Sequence, residues 1–295
     1  MQVDSPTYSQ CRSPEELRRL SLTMSKQIIE ITTAAGSGHP SSSLSAIDIL
    51  TCLYLRPVLR YDPNNPRWPL RDRFILSKGH AAPGLYVTLA HAGFFSQDLL
   101  PDLRKNDSPL EGHPNMRLVP GLESSTGSLG QGLSIGLGHA LAGRMDHADF
   151  HVYVMLGDGE LQEGQVWEAA MFAASRGLDN LTAIVDHNCY QQTNAVSGVM
   201  PALYPLPAKW RALGWHVDEI SGHDIPAILD ALERPAHDPQ MPRMIVAHTH
   251  KGKKLSAFEQ DTRSKMHGMP LKPDQVSAAV TELHEQYNND KKEQP

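Results

Sequence analysis

Cysteine is scarce in this chain: Cys11, Cys52 and Cys189 are its only thiols in 295 residues. Scattered and odd in number, they exclude a disulfide framework and a cysteine-built zinc cluster. Cys189 reads as an ordinary free thiol; oxidation sensitivity is the alternative, because it stands in the loop after a predicted strand. Long apolar runs are also missing. None approaches the ~20 residues that span a bilayer, and residues 1–14 are polar, without a signal-peptide core. The expected location is cytoplasmic. Basic charge is not in excess. The net charge is −6 and charged residues make up 20% of the chain, which argues against a general nucleic-acid surface. No repeat and no internal boundary is visible. Residues 1–295 therefore read as one domain, long enough to bury a sizeable core, with residues 288–295 expected to form a disordered charged tail.

What is present is an alternation of strands and helices. Ser13-Pro14-Glu15-Glu16 is a capping box with proline at the first helical position, and the helix it opens runs to about Ala35. Leu44 to Leu55, Ala81 to Ala92, Leu129 to Arg144, Leu161 to Ser175, Asp224 to Glu233 and Gln275 to Tyr287 also read as helices, with a further one ending at Gly214. The helix from Leu129 is rich in glycine and alanine and suits close packing against a partner. Strands are expected at residues 73–77, 150–156, 181–185, 215–220 and 243–249. Residues 57–70, 99–123, 188–207 and 252–270 read as loops. Five strands alternating with helices predict an α/β fold: a doubly wound, mainly parallel sheet flanked by helices.

The segment from Gly157 to Asn188 is the most specific. A β-rich run, Phe150 to Leu156, leads directly into Gly157-Asp158-Gly159-Glu160. Thirty residues after Asp158, a second strand ends in Val185-Asp186-His187-Asn188. Asp158 and Asn188 then lie at the C-terminal ends of two strands joined by a crossover helix, the edge where open α/β sheets bind ligands. The chemistry fits a metal–diphosphate site. Mg²⁺ takes oxygen ligands and usually combines one or two protein groups with phosphate oxygens. The Asp158 carboxylate, the Asn188 amide oxygen and the Tyr190 carbonyl would supply the protein ligands, and glycine on either side of Asp158 lets the backbone approach a phosphate. Gly-Asp-Gly alone is equally a strand-end turn in which the aspartate caps a helix; the spaced asparagine favours the metal.

Fifteen histidines form the second informative set. His39, His80, His113 and His267 each stand beside glycine or proline in a predicted loop. A near-neutral imidazole shuttles protons and hydrogen-bonds sugar hydroxyls or phosphate; a single Gly-His pair is as well explained by a structural turn. Their spacing does not fit a zinc site.

Gly157-Asp158-Gly159 followed by Asn188 resembles the thiamine diphosphate motif of thiamine diphosphate enzymes. Ser37-Gly38-His39-Pro40, Ser77-Lys78-Gly79-His80-Ala81, Glu111-Gly112-His113-Pro114, Thr126-Gly127-Ser128-Leu129-Gly130-Gln131-Gly132 and Met266-His267-Gly268 are similar, in order, to segments of the transketolase family. The resemblance covers roughly residues 14 to 270, and six matches in order are specific where one is weak. It implies the thiamine diphosphate-binding fold and, because the chain stops after the diphosphate-binding domain, the N-terminal subunit of a split transketolase. Such a chain would be active only with a second polypeptide carrying the pyrimidine domain, as a heterotetramer with two copies of each. The implied reaction transfers a two-carbon ketol unit from a ketose to an aldose. The implied cofactors are thiamine diphosphate and Mg²⁺, with Ca²⁺ or Mn²⁺ as substitutes.

By the same resemblance, His39 and His113 would bind the donor ketose and assist proton transfer. His80 would contact the diphosphate, and His267 would bridge diphosphate and donor hydroxyls. Gly127, Ser128 and Leu129 would meet the aminopyrimidine through their backbone. Gly159 would donate its N–H to the diphosphate, and Asp158, Asn188 and Tyr190 would hold the metal. Glu163 and Glu168 would link two cofactor sites as buried carboxylates in the subunit interface, against the alternative of exposed helix charges. The chain departs from the family at Ser128, where many relatives have proline, and at His187 and Cys189 to Ala195, which puts the shape of that loop in question. Two other readings remain. One is another thiamine diphosphate reaction, of the deoxyxylulose-phosphate synthase or acyloin-forming kind. The other is a non-catalytic thiamine diphosphate-binding protein.

Overall fold

Ser13 starts the first helix as its capping box dictates. The Ser13 hydroxyl accepts from the Glu16 amide at 3.3 Å, and the Glu16 carboxylate accepts from the Ser13 amide at 2.7 Å. The structure is a computed structural model describing residues 11–234 and 240–292. Its helices are α1 (Pro14–Ala35), α2 (Pro40–Leu55), α3 (Ala82–His91), α4 (Gln131–Met145), α5 (Gly164–Ser175), α6 (Val196–Val199), α7 (Leu206–Ala212), α8 (Ile225–Glu233), α9 (Ser256–Glu259) and α10 (Pro273–Lys292). Its strands are β1 (Arg73–Leu76), β2 (Val152–Gly157), β3 (Leu181–His187), β4 (His216–Ser221) and β5 (Arg243–His248).

All five strands run parallel, in the order β1-β2-β3-β5-β4. Strand side chains alternate between two cores, as a parallel sheet covered on both faces requires. Tyr153 and Met155 of β2, Ile184 of β3 and Ile245 of β5 join the core shared with α1, α2, α3, α8 and α10. Val152, Val154 and Leu156, then Ala183 and Val185, then Met244 and Val246 join the core under α4, α5 and α7. Because both faces are covered, β2, β3 and β5 read as near-continuous apolar runs, whereas the edge strand β4 alternates polar and apolar residues.

Several boundaries differ from the sequence expectation for identifiable reasons. Helix α2 starts at Pro40 instead of Leu44, since proline loses nothing at the first turn of a helix; all its residues are buried. The helix expected from Leu161 is interrupted. Gly159–Gln162 form a 3₁₀ turn, Glu163 is extended at ψ 123°, and α5 begins at Gly164. The Glu160 carboxylate causes this by folding back onto the Gly157 amide. The loops predicted at 188–207 and 252–270 contain the short helices α6 and α9. At the C-terminus, α10 continues to Lys292. It thus enters the segment 288–295 expected to be a charged tail, a run with neither glycine nor proline to stop a helix up to Lys292; residues 293–295 lie outside the described residues. The small-residue face of α4 packs on the chain's own sheet: a β-carbon on Gly136 would stand 2.3 Å from Val154 Cγ2.

Candidate cofactor and active site

Four strands deliver polar groups to one edge. Ser77 and Lys78 follow β1, Asp158 follows β2, Asp186 is the penultimate residue of β3 with Asn188 just beyond it, and Thr249 and Lys251 follow β5. All seven are buried. At the centre Lys78 donates to the Asp186 carboxylate and, at 3.0 Å, to the Ser42 carbonyl. Ser45 (2.5 Å) and Thr249 also donate to Asp186. Burial opposes the Asp186 charge, but Lys78 and these hydrogen bonds outweigh it and hold the carboxyl below its ordinary range.

No cation among the described residues forms an ion pair with Asp158. Its oxygens accept from the amides of Gly159 (2.8 Å) and Cys189 (2.6 Å). Burial, then the neighbouring charge of Asp186, push its carboxyl up to about 7. A buried carboxylate in that state calls for a positive ion. The Asn188 amide nitrogen donates to Asp186 at 3.2 Å, and its oxygen accepts from the Tyr190 amide at 3.1 Å. Tyr190 pairs with Ala195 across the loop. Asp158, Asn188 and Tyr190 therefore sit together at the sheet edge, and their donor set is all oxygen, as a hard divalent cation prefers. The Gly159 N–H, expected to face a diphosphate, is turned to Asp158 instead; diphosphate binding would have to release it.

The four motif histidines converge beside this edge although they come from four loops. Ring centroids lie 5.1 Å apart for His39 and His80, 5.0 Å for His39 and His267, 5.1 Å for His80 and His267, and 6.5 Å for His39 and His113. Burial first, then nearby cations, lowers the pKa of His39 to about 4 and of His267 to about 3. His80 falls well below its ordinary value, and His113 is lowered as well, for the same reasons. All four rings are neutral near pH 7. His39 Nδ1 is buried with no hydrogen-bond partner among the described residues, a polar atom that a bound ligand would satisfy. His267 Nδ1 lies 2.8 Å from Lys251 Nζ, and burial lowers the Lys251 pKa to about 8.

Glycine allows two of these loops to meet. A β-carbon on Gly79 would lie 2.7 Å from the Thr126 carbonyl carbon and 2.8 Å from the Gly127 amide. The loop holding His80 is thereby pressed against the loop of Gly127, Ser128 and Leu129. Gly127 and Ser128 are exposed. Glu163 and Glu168 are also exposed in this single chain.

The sequence reading missed the residues beneath the site: Lys78, Asp186, Ser45, Thr249, Lys251 and Glu160. The Glu160 carboxylate accepts from Ser77 and from the amides of Gly130 (2.8 Å) and Gly157 (3.0 Å), joining three of the motif loops. Three of them carry a signal in the sequence: Lys78 lies inside a histidine motif, Glu160 directly follows Gly-Asp-Gly, and Asp186 stands two residues before Asn188. Arg104, which donates to Ser37 and adds positive charge near His39 and His113, has none.

Comparison with known proteins gives the family. The family model described as "Transketolase, thiamine diphosphate binding domain" matches residues 20–292. The chain is 43% identical over 271 residues to a 6-deoxy-6-sulfo-D-fructose transketolase subunit from Clostridium sp., covering 92% of this chain and 97% of that one. It is 40% identical over 268 residues to an apulose-4-phosphate transketolase subunit from Phocaeicola vulgatus, covering 91% and 94%. The crystal structure of transketolase from Campylobacter jejuni superimposes with a TM-score of 0.82 at 32% identity, covering 92% of this chain and 42% of that one. The chain belongs to the transketolase family and carries its thiamine diphosphate-binding domain. Among the described residues no helix is long and apolar enough to cross a membrane.

Proposed function

We propose that this chain is the thiamine diphosphate-binding subunit of a split transketolase. With a partner chain carrying the pyrimidine domain, it transfers a two-carbon ketol unit from a ketose to an aldose. The observation that carries this reading is the convergence of His39, His80, His113 and His267 beside the buried Asp158. Two relatives of matching length, both named transketolase subunits, support the need for a partner.

Asp158, the Asn188 amide oxygen and the Tyr190 carbonyl hold Mg²⁺, with Ca²⁺ or Mn²⁺ as substitutes. The unpaired charge of Asp158 supports this assignment. Thiamine diphosphate, when bound, supplies the nucleophilic carbon and the electron sink. The protein orients the sugar and moves its protons. His39 and His113 hold the donor hydroxyls, and their neutral rings both accept and donate protons. His80 faces the diphosphate, and His267 bridges it to the donor, with Lys251 adding positive charge behind it. The backbone of Gly127, Ser128 and Leu129 meets the aminopyrimidine. Glu163 and Glu168, exposed here, are covered in the assembled enzyme, a heterotetramer with two copies of each chain. The site works in the cytoplasm on dissolved sugars.

The test is a coupled assay of ketol transfer from xylulose 5-phosphate to ribose 5-phosphate, with thiamine diphosphate and Mg²⁺. It is run on this chain alone and mixed with a candidate pyrimidine-domain chain. Activity only in the mixture supports the proposal. Full activity from this chain alone refutes the split.

A further inference from the structure

The loop after β3 is left-handed at Cys189, with φ 67° although the residue carries a β-carbon. Its N–H donates to Asp158 Oδ2 at 2.6 Å, and its carbonyl accepts from the Val196 amide at 2.9 Å. A strained conformation of this kind persists only where its surroundings over-determine it. The consequence is a thiol placed beside a carboxylate and an imidazole from two different strand ends. A carboxylate oxygen of Asp158, a ring nitrogen of His187 and Sγ of Cys189 lie within 4.8 Å of one another. Sγ is 4.0 Å from His187 Nδ1. Tetrahedral zinc, with bonds of about 2.0–2.3 Å, needs ligand atoms roughly 3.3–3.6 Å apart. Small side-chain rotations close the set.

The surroundings suit a metal. His187 Nδ1 is 3.0 Å from His248 Nδ1, and His187 Nε2 is 3.3 Å from the Tyr204 hydroxyl. Whichever nitrogen binds the ion, the other has a partner that orients the ring, as ligating histidines require. Asp158 and His187 are buried and Cys189 is exposed, so the fourth position opens to water.

We propose that Asp158, His187 and Cys189 form a second metal site, selective for thiophilic divalent ions and above all Zn²⁺. Mg²⁺ has little affinity for thiolate or imidazole, whereas zinc takes both. On binding, the Cys189 thiol gives its proton to solvent and the thiolate ligates the ion. Because Asp158 serves both sites, zinc and the magnesium–diphosphate pair exclude each other; this part rests on the function proposed above. Zinc then acts as an inhibitor that withdraws Asp158 from the cofactor.

The experiment is a Co²⁺ titration of the full chain followed by optical absorption, with Zn²⁺ as competitor. The expected result is a thiolate-to-cobalt charge-transfer band that Zn²⁺ removes and that Cys189→Ser lacks. His187→Gln should weaken zinc binding by roughly tenfold or more, since even outer partners of a metal contribute that much. Magnesium with thiamine diphosphate should lower the band. Circular dichroism confirms that each variant is folded. An absent band, or zinc affinity unchanged in both folded variants, overturns the site. A band indifferent to magnesium and thiamine diphosphate, while calorimetry shows them bound, overturns the sharing of Asp158. If calorimetry shows no thiamine diphosphate binding even with the pyrimidine-domain partner chain added, the functional proposal fails, and the zinc site stands or falls on the cobalt band and the two variants.

Discussion

Lys78 and Asp186, 108 residues apart in the chain, form a buried ion pair beneath the ends of β1 and β3. The Lys78 side chain is 1% exposed and that of Asp186 is 0% exposed. Neither charge has water to fall back on, so each depends on the other. Lys78→Met should destabilise the chain by about 3–5 kcal/mol, the usual cost of leaving one buried charge uncompensated. Urea denaturation measures it. A loss below about 1 kcal/mol would mean that the pair is hydrated or relaxes freely.

Glu160 is a second hidden support. Glu160→Ala leaves Ser77 and the amides of Gly130 and Gly157 without their acceptor. The expected cost is about 2–3 kcal/mol, since unpaired buried donors carry their desolvation penalty. Thiamine diphosphate affinity should fall too, because three motif loops lose their tie. Denaturation and calorimetry on the same variant check both effects; normal stability would show that water replaces the carboxylate.

Asp158→Ala should abolish thiamine diphosphate-dependent activity of the reconstituted pair, because the metal proposed there would lose its charged ligand. Retained activity with normal cofactor affinity would sink the metal assignment.

His113→Ala should act differently. Turnover of the donor ketose is expected to fall about 10²–10⁴-fold, the range for a positioned proton-transfer group, while cofactor affinity changes less than about threefold. Steady-state kinetics paired with calorimetry separates the two. Equal losses in both would assign His113 to the cofactor or to folding.

The half-buried His39 and His267 should make the chain acid-sensitive. His39 and His267 have pKa values lowered from 6.5 to about 4 and about 3, chiefly by burial. Below pH 6.5 the unfolded chain takes protons that the folded chain refuses, so stability is lost as pH falls from about 6.5 towards 4. The slope is up to about 1.4 kcal/mol per pH unit for each such histidine, less where solvent reaches the ring. Asp158, raised from 3.8 to about 7, works in the opposite direction over that window, losing stability as pH rises. The comparison is therefore between wild type and His39→Asn, in which the Asp158 contribution cancels. The variant should lose less stability than wild type between pH 7 and pH 5, by urea midpoint. Parallel losses would show that His39 is solvated in the native state.

Much of the fold was legible because local signals and packing agree. The capping box at Ser13 needs only four residues, and the apolar runs of β2 and β3 are long because both sheet faces are covered. Boundaries failed where a distant side chain intervened. The Glu160 carboxylate breaks a helix that its neighbours would otherwise continue, and no periodicity records a hydrogen bond to Gly130.

The amino-acid sequence by itself determined the family, the order of the motif loops and the residue types that can bind a diphosphate, because those lie in short contiguous segments. Only the tertiary structure decided how they act together. It brought His39, His80 and His267 into contact with one another and placed His113 beside His39, where desolvation lowers the pKa of each ring. It neutralised Asp186 with Lys78, left Asp158 without an ion pair among the described residues, and turned Cys189 towards His187. Burial and the distance between groups far apart in the chain set charge states and metal affinity, and neither is written in local sequence.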